Sequence, residues 1–240
     1  MVDGGVEKGV TMMYRTKQNL LVSLVCAWLL APLRGWGEPP AAHSATEGAV
    51  TAAEGLARLK DGNDRYARNE ATHPDQTAER LTSLAGGQHP FAVILSCADS
   101  RVPPELVFDQ GLGDLFVIRE AGNTLNDVVL GSIEYAVEHL GTPLIVVMGH
   151  EKCGAVTAAM SDHAEGGHIP ALTKPIAPVI AEAKKMPGDP LHNAVLLNAH
   201  RVAKELSQSG PFLKEGVAAG HLKIVVAIYD VASGRVTFEE

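Results

Sequence analysis

Three stretches of consecutive apolar residues, 91–95, 115–118 and 144–147, stand out along the chain, and a fourth at 222–228 is broken only by Lys223. Runs this short and this continuous predict strands, and those at 91–95 and 144–147 read as buried on both faces, as in a parallel sheet covered by helices. The stretches between them have a different period. Leu56, Leu59 and Tyr66 fall at helical spacing within 50–69, as do Val129, Ile133, Ala136, Val137 and Leu140 within 126–140. Further helices are expected at 78–84, 153–160, 172–185 and 191–208, with a surface loop at 161–169. A turn at Ser233 and Gly234 leads to a short edge segment at 236–238. Strands alternating with helices predict an α/β fold. The expected architecture is a mainly parallel central sheet of about four strands plus an edge strand, flanked by helices, with an N-terminal helical arm. No internal repeat is visible.

The first residues follow another pattern. Arg15 and Lys17 precede an apolar stretch at 20–33, and Gly35, Trp36 and Gly37 then offer small residues at alternate positions. This reads as a cleavable secretory signal at 1–37 with its start at Met12 or Met13, because the apolar run is short for a membrane span. Residues 38–49, rich in Pro and small side chains, read as a linker, and 50–240 as one folded domain. Export implies a periplasmic or secreted protein with no stable membrane span once the signal is removed. Over the whole chain, 46% apolar and 20% charged residues fit a globular domain with a sizeable core. A net charge of −8, with no basic run, excludes a nucleic-acid partner.

The chemistry collects at two strand ends. The first apolar run delivers Cys97, Asp99 and Arg101 within five positions, and the third leads to His150 and Cys153. Sites in parallel sheets lie beyond the carboxyl ends of the strands, so both groups are expected to meet there. Two thiolates and one imidazole suit zinc, and three protein ligands leave the fourth position open, as in a catalytic site. Arg101 can hold Asp99 in a bidentate pair, which keeps the carboxylate off the metal and makes it an acceptor beside the open position. Three other readings remain open on these residues: a disulfide between Cys97 and Cys153, a redox pair, and a zinc closed by Asp99 with no turnover. The absence of a CxxC arrangement disfavours the redox pair.

The pattern CxDxR at Cys97, Asp99 and Arg101, followed about fifty residues later by HxxC at His150 and Cys153, resembles the β-class carbonic anhydrases. The resemblance extends from about Leu56 to Gly234. It implies one zinc per subunit and reversible hydration of carbon dioxide to bicarbonate through zinc-bound hydroxide. It also implies a homodimer with exchanged N-terminal helices, or a dimer-based tetramer. Gln88, nine positions before Cys97, matches the plant-like type I members and is expected to donate to bound bicarbonate or substrate. Phe116 and Tyr135 match the family's apolar pocket residues, which come partly from the partner subunit. Ile94 stands where the allosteric type II members carry tryptophan, and Ala121 where plant-type members carry a larger aliphatic residue. Carbonyl sulfide or carbon disulfide hydrolysis on the same zinc site is the alternative within enzymes. His89, His139, His163 and His168 are present, but none is assigned a proton-shuttle role.

Overall fold

The computed structural model describes residues 50–161, 163 and 165–239; the signal and linker expected at 1–49 lie outside the described residues. Five strands form one sheet: β1 (Ala92–Ser96), β2 (Leu115–Arg119), β3 (Leu144–His150), β4 (Lys223–Tyr229) and β5 (Val236–Glu239). Their order is β2-β1-β3-β4-β5, with β5 alone antiparallel to its neighbour. All five residues of β1 and all seven of β3 are buried, as their uninterrupted apolar character requires. β2 is the strand expected at 115–118. It lies at the sheet edge, and its residues are half-buried or exposed.

Side chains alternate between the two faces of the sheet. Val93, Leu95, Ile145, Val147, Val226 and Ile228 point one way, into a core shared with α4 (Asp127–Leu140), α5 (Gly154–Met160), α6 (Pro170–Ala183), α7 (Pro190–Gln208) and α8 (Pro211–Ala218). Ala92, Ile94, Leu144, Val146, Met148, Val225 and Ala227 point the other way, against α1 (Ala52–Ala67) and α3 (Pro104–Val107). A short α2 (Ala78–Ser83) precedes β1. Neither α3 nor α8 was expected from the apolar period. Each is short and begins at a proline, which suits the first turn of a helix because its missing N–H has no partner there.

The amino-terminal helix packs on its own chain. Thr51 caps it by accepting from Glu54 N, while the Glu54 carboxylate accepts from Thr51 N. Leu56 and Leu59 are buried in the second core, and Asn63 donates to Val107 O and Gly234 O while accepting from Val236 N. A Cβ on Gly62 would lie 1.8 Å from Phe108 O, so only glycine lets α1 approach the Phe108 backbone this closely. These contacts tie α1 to the sheet of the same chain.

Candidate metal centre

Register carries the two ligand groups to one place. β1 and β3 are parallel neighbours with Ser96 opposite Met148, so Cys97 follows the end of β1 just where β3 runs on to His150. The third strand is longer than its apolar run because Met148, Gly149 and His150 pair with Ala227, Ile228 and Tyr229 of β4. Cys153 is the residue that caps α5. One ligand atom from each of Cys97, His150 and Cys153 lies within 4.8 Å of the others, and all three residues are buried.

This donor set fits a zinc ion. His150 Nδ1 lies 2.9 Å from Glu151 O, which can only accept, so Nδ1 carries the proton and Nε2 is bare. That Nε2 is buried and has no hydrogen-bond partner, an expensive state unless a cation takes its lone pair. Cys97 and Cys153 are both free thiols, so the disulfide reading does not describe this structure. The Cys153 thiol donates to Cys97, which holds Cys97 well below the ordinary thiol range; the same shared proton, with burial, pushes Cys153 up. The amides of Asp99 and Gly122 also donate to Cys97 Sγ, at 3.4 and 3.3 Å. A buried sulfur held as an anion beside a bare imidazole nitrogen is the environment a soft divalent cation needs.

Asp99 and Arg101 form the bidentate pair expected of them. Arg101 Nε donates to Asp99 Oδ1 at 2.9 Å, Nη2 donates to Oδ2 at 2.7 Å, and the Arg101 amide adds a bond to Oδ1 at 2.9 Å. These bonds, the Arg101 side chain's foremost, hold the Asp99 carboxyl at about 2, against the opposing effect of its partial burial. Asp99 Oδ2 is 4.0 Å from His150 Nε2, so the carboxylate borders the ligand set while its lone pairs are turned to the guanidinium. Arg101 Nη2 also donates to Lys152 O at 3.4 Å, which links the pair to the loop carrying the other two ligands.

Gln88, Phe116 and Tyr135 are not brought to this centre within one chain. Phe116 pairs with Val93, four residues before Cys97, a separation of about 13 Å along the strand. Its ring packs against Tyr135 in a tilted arrangement at 6.4 Å between centroids, and Tyr135, 49% exposed, packs against His139 in the same way at 5.1 Å. Gln88 is exposed before the start of β1, in a shallow cleft with Leu81, Leu84, Leu112 and Gly113. All three therefore lie toward the other end of the sheet or its open edge.

The family model described as carbonic anhydrase matches residues 92–236, a span that takes in β1 to β4, the first residue of β5, and Cys97, Asp99, Arg101, His150 and Cys153. The chain belongs to the β-carbonic anhydrase family. It is 39% identical over 186 residues to carbonic anhydrase 2 of Mycobacterium tuberculosis, covering 76% of this chain and 90% of that protein. A carbonic anhydrase of Mycolicibacterium smegmatis is 42% identical over 182 residues, covering 74% of this chain and 88% of its own. Among solved structures, the tetrameric β-carbonic anhydrases of the ascomycete Sordaria macrospora align with a TM-score of 0.63 at 29% identity, over 74% of this chain and 93% of theirs.

Two supports of this β-carbonic anhydrase centre escaped the sequence reading. Arg119, which closes β2, donates to Cys97 O at 3.1 Å and to Asp99 O, clamping the backbone that carries both side chains. An arginine directly after an apolar strand was the available signal. Glu151, whose carbonyl orients His150, is paired through its side chain with His192 Nδ1 on α7. Nothing local joins those two positions.

Proposed function

We propose that this β-carbonic anhydrase catalyses the reversible hydration of carbon dioxide to bicarbonate and a proton, with one zinc per subunit held by Cys97, His150 and Cys153. The clamped carboxylate carries the reading: Arg101 occupies both oxygens of Asp99, so the side chain nearest the ligand set is kept from closing it. Held by Cys97, His150 and Cys153, zinc would supply Lewis acidity sufficient to acidify water near neutral pH. Asp99, ionised above about pH 2, offers only acceptor lone pairs. Its Oδ2, which borders the ligand set, would accept a hydrogen bond from the attacking water and so orient that oxygen toward carbon dioxide. Arg101 fixes Asp99, and Arg119 fixes the backbone beneath it.

Stopped-flow hydration of carbon dioxide by the zinc-loaded protein at mildly alkaline pH tests this directly; a rate no faster than buffer sinks it. Arg101→Ala frees Asp99 to take the metal's open position. We expect turnover to fall roughly 10–100-fold with zinc content retained. Equal losses of metal and turnover would mark the pair as a structural ion pair.

Gln88, Phe116 and Tyr135 act, in this reading, in a pocket completed by a second copy, with Gln88 donating to bicarbonate as in type I members. The half-exposed edge strand β2 and the exposed Tyr135 support a homodimer or a dimer-based tetramer, and the Sordaria macrospora relatives are tetrameric. The signal pattern from Arg15 to Gly37 supports a periplasmic or secreted location. A monomer by sedimentation at assay concentration, or an exported protein retaining its first 37 residues by mass, removes the corresponding part.

A further inference from the structure

Asn198 lies on α7 and is fully buried, and it is not one of the three residues of the ligand set. Its Nδ2 nonetheless donates to Gly122 O at 2.9 Å, across 76 residues of sequence. Its Oδ1 accepts from Arg201 Nη2 at 3.2 Å. A guanidinium only donates, so Arg201 sets which way the Asn198 amide faces and leaves the nitrogen for Gly122. Gly122 then presents its own N–H to Cys97 Sγ at 3.3 Å. Carbonyl and amide belong to one residue held at φ 74°, where a Cβ would come within 2.8 Å of Ile176 Cδ1 and 3.1 Å of Ala155 Cβ. Fixing the carbonyl therefore fixes how the N–H meets the sulfur.

We propose that Asn198 is a positioning residue for the metal centre, locking the Gly122 amide against Cys97 Sγ and thereby setting the geometry and donor strength of that ligand. This rests on the zinc reading of the Cys97, His150 and Cys153 set. An N–H directed at a thiolate draws charge from the sulfur and leaves the bound cation more electrophilic. It also holds the sulfur ready, so that less order is lost when metal binds. Partners of this outer kind typically change metal affinity or activity by roughly 10–100-fold. Asn198 spends its one donor group on a loop carbonyl that no helix or strand bond satisfies, which is what such a role requires.

The same helix supplies a matched control. Asn193 is also buried, and its Nδ2 donates to the carbonyls of Ala183, Met186 and Pro187, none of them on a ligand loop. The full-length protein is prepared as wild type, Asn198→Leu, Asn198→Asp and Asn193→Leu. Zinc affinity is measured by chelator competition, and the sulfur-to-metal charge-transfer band is recorded after cobalt(II) substitution. Both Asn198 variants are expected to bind zinc about tenfold or more weakly and to shift the band, while Asn193→Leu lowers the melting temperature and moves neither. Asn198→Asp is nearly isosteric and carries the comparison if Asn198→Leu does not fold. Asn198 variants within about twofold of wild type with an unshifted band overturn the proposal, as does Asn193→Leu moving both readouts equally. A wild type that binds no zinc overturns the zinc reading as well, so the two failures are distinct.

Discussion

Replacing His150 by alanine is expected to abolish zinc binding and lower carbon dioxide hydration by at least about 10³-fold, the equivalent of several kcal/mol of lost transition-state stabilisation. The fold should survive. His150 ends β3, its Nε2 makes no bond to protein, and its Nδ1 bonds only the neighbouring carbonyl of Glu151. The variant therefore gives up the ligand and the packing of one fully buried ring, while the backbone pairing of β3 with β4 is retained. Zinc content by atomic absorption and turnover should fall together, whereas wild type stripped by a chelator should lose activity and regain it with added zinc. A His150→Ala protein that keeps both its zinc and its rate contradicts the assignment of the centre. The contrast with Arg101→Ala is informative, because there turnover is expected to fall while the metal stays.

Asp109→Ala should produce the largest loss of stability. Asp109 is 2% exposed, and its carboxylate accepts from Arg65 Nε at 2.6 Å, from Thr72 N and Oγ1 at 3.0 Å each, and from His73 N at 2.9 Å. It ties α1 to the chain that follows it, and truncation leaves a guanidinium and three further donors without their acceptor. Breaking a buried charged network of this kind costs roughly 3–5 kcal/mol. In a protein of this size that is a fall of roughly 10 °C in melting temperature, read by calorimetry.

The same network predicts a pH dependence. Burial raises the Asp109 pKa, but the donors from Thr72, Arg65 and His73 together outweigh it and bring the group from 3.8 down to about 2. A carboxyl depressed in the folded state stabilises the protein above its unfolded pKa and loses that contribution as pH falls through the folded value. Between about pH 4 and 2, wild type should thus lose about 2 kcal/mol that Asp109→Asn does not, at about 1.4 kcal/mol per pKa unit. Parallel acid-denaturation curves for the two proteins would show that Asp109 has no such role.

The metal centre was legible because its parts are local. Cys97, Asp99 and Arg101 sit within five residues, and the Asp99–Arg101 pair closes over a separation of two. His150 and Cys153 follow a strand visible from its composition, and parallel strands end on the same side. The helices at 52–67, 127–140 and 190–208 were equally visible in their apolar period. The carboxyl end of β3 was not, because Met148 to His150 are held as strand by pairing with β4, some eighty residues downstream.

What the linear chain determined, then, was the alternation of strands and helices and the residues that meet at the candidate metal centre, since period and motif depend only on neighbours. Tertiary structure decided the rest. The strand order placed β2 at an edge and set Phe116 there, its ring beside Tyr135 of α4 and away from the metal centre of the same chain. Packing of α7 against the sheet set Asn198 on Gly122, and packing of α1 set Arg65 on Asp109. Each of these is a bond between positions whose separation has no period, made only when buried polar groups meet as the core closes and must find one another.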